Sequence, residues 1–324
     1  MKVPKALSPT SLHLWESDRE AFYLKYMSGV EKPDQAQTLA MAVGSAFDAH
    51  VKSELVKHLY SEVPPEYELE AMLEEQVDAE IIPAAREAGK YVFDCYYKCG
   101  AYSELLDLLC RSTEPPRFEF KITREIGGVP LVGKPDCWFM LNGGQVVLDW
   151  KVNGYCSTSP TSPKKLYSYC RDTWSETEGK PTRGGDGPHK SFDPMEYCGT
   201  LIGKHYLEDV DHDWADQLAI YTWMLGTPVG SETVIACIDQ IAAKPGDPLP
   251  LLRVAQHRCR LGSFWQHSLL GRLQDCWRTV TSGHIFTEMS KEESVARCEL
   301  LDDQARLVDD DPFWALVNQK GYKG

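Results

Sequence analysis

Gly133-Lys134-Pro135-Asp136-Cys137-Trp138-Phe139, followed thirteen residues after its aspartate by Val147-Leu148-Asp149-Trp150-Lys151, predicts a β-hairpin that carries a charged site. Two apolar runs, Pro130 to Val132 with Cys137 to Leu141, and Gln145 to Leu148, are separated by Asn142-Gly143-Gly144, a turn signal between β-rich segments. Alternation along a strand sends Asp149 and Lys151 to one face and Trp150 to the other. With Asp136 on the partner strand, its carboxylate comes beside that pair and forms a hard-oxygen site for Mg²⁺ or Mn²⁺. Lys151 then stands where an attacking water or a phosphate oxygen could use its charge. The competing reading is a surface hairpin whose acids and lysine form a solvated ion pair, which contributes little to stability. Those three residues alone leave the two readings even.

A chain of 324 residues with 43% hydrophobic and 25% charged residues has material for one large domain or two smaller ones. No apolar run reaches the roughly 18 to 20 residues of a membrane helix, and Met1-Lys2-Val3-Pro4-Lys5 lacks a signal-type apolar core. A cytoplasmic protein is expected. Eleven cysteines are scattered without any C-x-x-C pair, which suits buried reduced thiols; a zinc site assembled from distant positions is the alternative. The formal charge of −14 excludes a broadly basic protein that coats nucleic acid by charge alone. A nucleic-acid enzyme needs only a local basic groove, and Lys164, Lys165, Arg171, Lys180 and Arg183 cluster locally, although ordinary solvation explains each of them singly.

Before the hairpin the chain reads as helical. Ser8-Pro9-Thr10-Ser11 caps a helix expected to run to about Met27, a second begins near Leu39, and others cover Glu66 to Leu109, with Pro83 starting or kinking one. The second helix is rich in small residues and places Gly44 and Asp48 one turn apart. Strands are expected from Phe118 to Leu148. A stretch from about 153 to 204, rich in Gly, Pro, Ser and Thr, reads as a long insertion loop beside Lys151. Asp213 to Leu225 is helical and stacks Gln217 on Tyr221 at i and i+4, either as a simple helix-face pair or as part of a site. Strands over Thr233 to Ile241 and Leu251 to Arg260, then a helix from Ser263 to Thr281 closing at Gly283, complete the order.

In this order the chain resembles the PD-(D/E)xK nuclease superfamily, and its RecB-type exonuclease branch in particular. Gly133 with Asp136, Asp149 with Lys151, and Gln217 with Tyr221 match its Gly-x-x-Asp, Asp-x-Lys and Gln-x-x-x-Tyr motifs. Ser8 to Leu12 with Phe22 to Tyr26 is similar to the opening of that branch, and the likeness spans most of positions 8 to 286. The resemblance implies an α/β (α+β) fold with a restriction-endonuclease-like core, a central mixed β-sheet flanked by helices. It implies a helical amino-terminal region over 1–110, the nuclease core over 111–290 including the 153–204 insertion, and a carboxy-terminal tail or helix over 291–324.

The branch has a glycine followed four positions later by a histidine ligand; here Gly44 is followed by Asp48, which keeps ligand capability and favours an all-oxygen site. His50 is the competing ligand, about 200° away around the helix, so the two would not face one ion; a third option is that both merely cap or pack. Iron–sulfur members carry one cysteine near the first helix and three near the end; Asp18 stands near the first position and no late trio appears, so no cluster is expected. The implied activity is a Mg²⁺- or Mn²⁺-dependent deoxyribonuclease, an exonuclease working on DNA ends or single strands in replication, repair or recombination. It would act in the cytoplasm, the host's if phage-encoded, with a recombination or replication protein as a further partner. Asp48, Asp136 and Asp149 would hold metal, with the carbonyl of residue 150 as a further ligand. Lys151 would orient the water and stabilise the developing charge, Gln217 and Tyr221 would position Lys151 or a phosphate, and Glu119 or Glu125 could add an acid. The alternatives are a catalytically silent nucleic-acid-binding or scaffold protein on the same fold, and a metal-dependent hydrolase of another phosphoester.

Overall fold

The computed structural model describes residues 1–30, 36–153, 155, 168–172, 187–188, 194–244 and 251–310. The opening segment is two helices rather than one. α1 (Pro9–Ser17) starts on the Ser8 cap with Pro9 in its first turn, and α2 (Arg19–Tyr26) restarts on Asp18, whose carboxylate accepts from the Ala21 amide. α3 (Leu39–Leu59) is 21 residues long and buried on most of its surface. α4 (Leu69–Gln76), α5 (Ile82–Lys98) and α6 (Ala101–Cys110) follow, and Pro83 lies in the first turn of α5, where its missing N–H costs nothing.

The strands then build a mixed sheet. β1 (Arg117–Phe118), β4 (Cys137–Leu141) and β5 (Gly144–Asn153) lie at one side. β2 (Ile122–Ile126) and β3 (Val129–Gly133) form a separate antiparallel pair, so Pro130 to Val132 belongs to that ribbon and not to the hairpin. β4 and β5 are joined at Asn142 and Gly143, whose φ values of 46° and 81° suit the tight turn that matches strand twist. β6 (Tyr169–Asp172), β7 (Gly187–Pro188), β8 (Pro194–Tyr197) and β9 (Thr200–Gly203) fall within the stretch expected to be a loop; β6 and β7 extend the main sheet, while β8 and β9 pair with each other. The short helix α7 (Leu207–Val210) leads into α8 (His212–Met224), which is capped by Asp211. β10 (Val234–Lys244), β11 (Leu251–Cys259), α9 (Ser263–Ser282), which stops at Gly283 with φ 71°, and α10 (Lys291–Asp310) complete the chain.

The main sheet runs β1-β4-β5-β10-β11-β6-β7. β10 lies parallel to β5, pairing Ile238 with Asp149 and Gln240 with Lys151, while the other neighbours are antiparallel. α8 sits in the connection between these parallel strands, the arrangement a parallel pair requires. Helices cover both faces. One core joins α1, α2, α8 and α9 to Val147, Ala236 and Ile238, and the other joins α3, α5 and α6 to Leu148, Trp150 and Cys237. The strand alternation of β5 therefore feeds both cores, which fixes its register: a one-residue slip would exchange every side chain between them. Among the described residues no helix is long and apolar enough to cross a membrane, and the ten described cysteines are not joined in disulfides.

Candidate active site

Asp136 sits on the bend just before β4 rather than within it, and the register that pairs Cys137 with Leu148 brings it alongside Asp149 in β5. The Trp150 amide donates to Asp136 Oδ2 at 3.3 Å, which locks the bend to the strand. Asp149 and Lys151 point toward α8. Lys151 Nζ lies 2.6 Å from Asp149 Oδ2 and donates to Gln217 Oε1 at 3.0 Å. Gln217 Nε2 in turn donates to Asp149 Oδ1 at 2.9 Å and lies 3.3 Å from the Tyr221 hydroxyl. Gln217 thus holds the acid and the amine of the Asp-x-Lys pair at fixed separation. Gly133 makes the arrangement possible: a Cβ there would come within 2.6 Å of Tyr221 Cε1 and 2.5 Å of Met224 Cε.

On the other face, α3 delivers Asp48 and Lys52. Lys52 is fully buried, touches Asp48 Oδ2, and lies 3.4 Å from Glu119 Oε1 and 3.5 Å from Asp136 Oδ1. Glu119 also pairs with Lys134 at 3.2 Å and accepts from Gln76 Nε2 at 2.8 Å. It adopts φ 46°, a conformation that bulky residues rarely take, and its backbone amide donates to the Asp136 carbonyl at 3.3 Å. Gly44, Asp48, Gln76, Glu119, Asp136 and Trp150 line an open cleft of about 380 Å³.

The two faces meet at Asp136. Asp136 is a neighbour of the buried Asp149, and its charge disfavours ionisation of that second carboxyl. Burial would raise Asp136, but the ammoniums of Lys52 and Lys151 outweigh it and leave its pKa lowered. Asp149 is pushed up to about 7 by burial and by Asp136. Asp48 rises to about 8, again by burial first, with Asp136 and Glu119 adding to the effect against the pull of Lys52. Burial would lower Lys151, but Asp149 and Asp136 hold its pKa above the usual lysine value, so it is a cation rather than a base. Tyr221 is raised to about 12 by burial and stays neutral.

The expected residues Asp48, Asp136, Asp149, Lys151, Gln217 and Tyr221 therefore come together. Of the open choices, Glu119 joins the site, whereas Glu125 lies on the separate β2–β3 ribbon. His50 faces the other way, with Nε2 3.4 Å from the Arg86 carbonyl and its ring stacked on Phe93. Among the described residues, no three His, Cys, Asp or Glu side chains converge on an open point ready for a metal ion; the acids gather around the Lys52 ammonium instead. Lys52 is the participant that the motifs did not mark. Its spacing one turn after Asp48, on the helix face it shares with that acid, was the available signal. Arg171 is taken up by Glu104 and by Gln256, which it reaches at 2.6 Å, while Lys164, Lys165, Lys180 and Arg183 lie outside the described residues.

No family model and no curated protein matches the chain. Among solved structures, the crystal structure of SSO0001 aligns over 83% of this chain and 85% of its own, at 12% identity and a TM-score of 0.24, a likeness too low to bear on fold or function.

Proposed function

We propose that this protein is a divalent-metal-dependent DNA nuclease with a restriction-endonuclease-like core, an exonuclease hydrolysing phosphodiester bonds at DNA ends in replication, repair or recombination. The observation that supports this reading is the meeting of Asp136, Asp149, Lys151 and Gln217 where β4 begins beside β5, next to the open cleft. The donor set suits Mg²⁺ or Mn²⁺: it is all carboxylate, and Asp149 Oδ2 is buried beside Lys151 without an aligned hydrogen bond. Asp136 and Asp149 would hold the ion, with Asp48 joined to them through the Lys52 ammonium. A bound ion would neutralise charge on the scissile phosphate and make a water molecule more acidic.

The chain's own residues do the positioning. Lys151, kept charged by Asp149 and aimed by Gln217, offers its ammonium to a phosphate oxygen or to the attacking water. Tyr221 steadies Gln217, and the Trp150 amide keeps Asp136 turned toward Asp149. End-labelled linear single- and double-stranded DNA, incubated with the purified chain and Mn²⁺, tests the reading. The label is expected to be released, with Lys151→Ala slower by about 10²- to 10³-fold, the loss typical of one removed charge-stabilising donor. Intact DNA, or wild type and variant cleaving alike, would count against it.

A catalytically silent DNA-binding scaffold is the second reading, favoured by one observation: Lys52 already neutralises part of the acid ring. That reading expects DNA binding indifferent to divalent ions and to Asp136→Asn.

A further inference from the structure

Lys52 has no part in the chemistry above, yet it is the most deeply buried charge of the site, with a side chain 0% exposed. The Trp150 ring covers it, with Nζ 5.7 Å from the ring centre. An ammonium withdrawn from water costs several kcal/mol and persists only where anions offset that penalty. Asp48, Glu119 and Asp136 supply three. Carboxylates converging on one point are what a hard divalent cation takes, and here a lysine stands at that point.

The charges on each side lead the same way. On the Lys52 side three carboxylates, Asp48, Glu119 and Asp136, already face two ammoniums, the buried Lys52 and the half-exposed Lys134, whereas Asp149 faces Lys151. A divalent ion added beside Lys52 would leave excess positive charge in a desolvated place. Asp136 divides the cluster: Oδ1 faces Lys52, while Oδ2 accepts from the amide of Trp150, which stands between Asp149 and Lys151 in β5.

We propose that Lys52 permanently fills the place of a second divalent ion, so that the site takes one ion, on the Asp136–Asp149 side, and the lysine supplies the other positive charge. This rests on the nuclease reading and specifies its metal requirement. Lys52 is then a positioning residue: it reaches no substrate and acts through Asp48, Glu119 and Asp136.

Titration of the metal-free protein with Mn²⁺, with bound ions counted by calorimetry and by the spin-resonance signal of free Mn²⁺, tests the proposal. The wild type is expected to bind one ion per chain and Lys52→Met two. Two ions on the wild type, or a count and affinity unchanged in Lys52→Met, would overturn it. A measurement on the wild type alone covers the case in which Lys52→Met does not fold. In ¹⁵N-lysine-labelled protein the slowly exchanging ammonium signal of Lys52 is expected to persist at saturating Mg²⁺; its loss would show the ion displacing the lysine and would overturn the proposal equally. Failure of wild type and variant alike to bind Mn²⁺ would remove the metal site itself, and this inference with it.

Discussion

Asp136 and Asp149 show how two identical side chains acquire different roles. The charge on Asp136 opposes a charge on Asp149; Asp136 has the ammoniums of Lys52 and Lys151 to favour its own, so the proton stays on Asp149, at a pKa of about 7. Asp48, at about 8, behaves likewise. An acid whose folded pKa lies above its unfolded value of about 4 binds its proton more tightly when folded. Its contribution is therefore fully present below about pH 4 and is lost as pH rises toward 7 to 8. The metal-free protein is accordingly expected to melt at lower temperature at pH 9 than at pH 5, with a shallower fall in Asp149→Asn; calorimetry across that range measures both, and an equal slope in the variant would contradict the assignment. A divalent ion must displace the same protons, so Mn²⁺ affinity should rise with pH between 6 and 8. Gln217 works one layer out, since it touches both Asp149 and Lys151. Gln217→Ala is expected to weaken Mn²⁺ binding by about 10- to 100-fold, the loss typical of residues that orient metal ligands, with little change in melting temperature.

At the scale of elements, the site is a meeting of α3, the β4–β5 hairpin and α8, and these were unequally legible in the sequence. The hairpin could be read because Asn142-Gly143 admits few other conformations and because Asp149 and Lys151 obey strand alternation. α8 could be read from its periodicity and its cap. The role of Lys52 could not, since a lysine one turn after an aspartate is usually a solvated pair; only the packing of α3 against the strand ends buries it. Glu119 was similarly ambiguous beside Glu125, because an unusual φ value, rather than a pattern of residue types, turns it into the site. The break at Asp18 was hidden by a run that looks helical on both sides. Gly133 ties two elements together, and Gly133→Ala forces Tyr221 and Met224 of α8 away from β3. A cost of about 1–3 kcal/mol is expected, as for other overpacked positions, together with weaker Mn²⁺ binding as Gln217 moves with the helix. Denaturant unfolding and calorimetry read the two effects, and full retention of both would show that α8 gives way without disturbing the site.

For the whole molecule, the sheet separates two cores, and the candidate site lies where both helical layers reach the start of β4 and the adjoining part of β5. A net charge of −14 sets the terms on which such a protein could meet DNA. Bulk electrostatics repels the backbone, so attraction would have to come from the cleft and from a cation bound there. DNA is expected to bind weakly to the metal-free chain and at least tenfold more tightly with Ca²⁺, measured by fluorescence anisotropy at fixed ionic strength; binding indifferent to Ca²⁺ would favour the scaffold reading. The most direct test of the site is anomalous diffraction from crystals grown with Mn²⁺. A peak within coordination distance of both Asp136 and Asp149, absent in Asp136→Asn, is the predicted result; a fully ordered cluster with no peak there would contradict the metal-dependent reading.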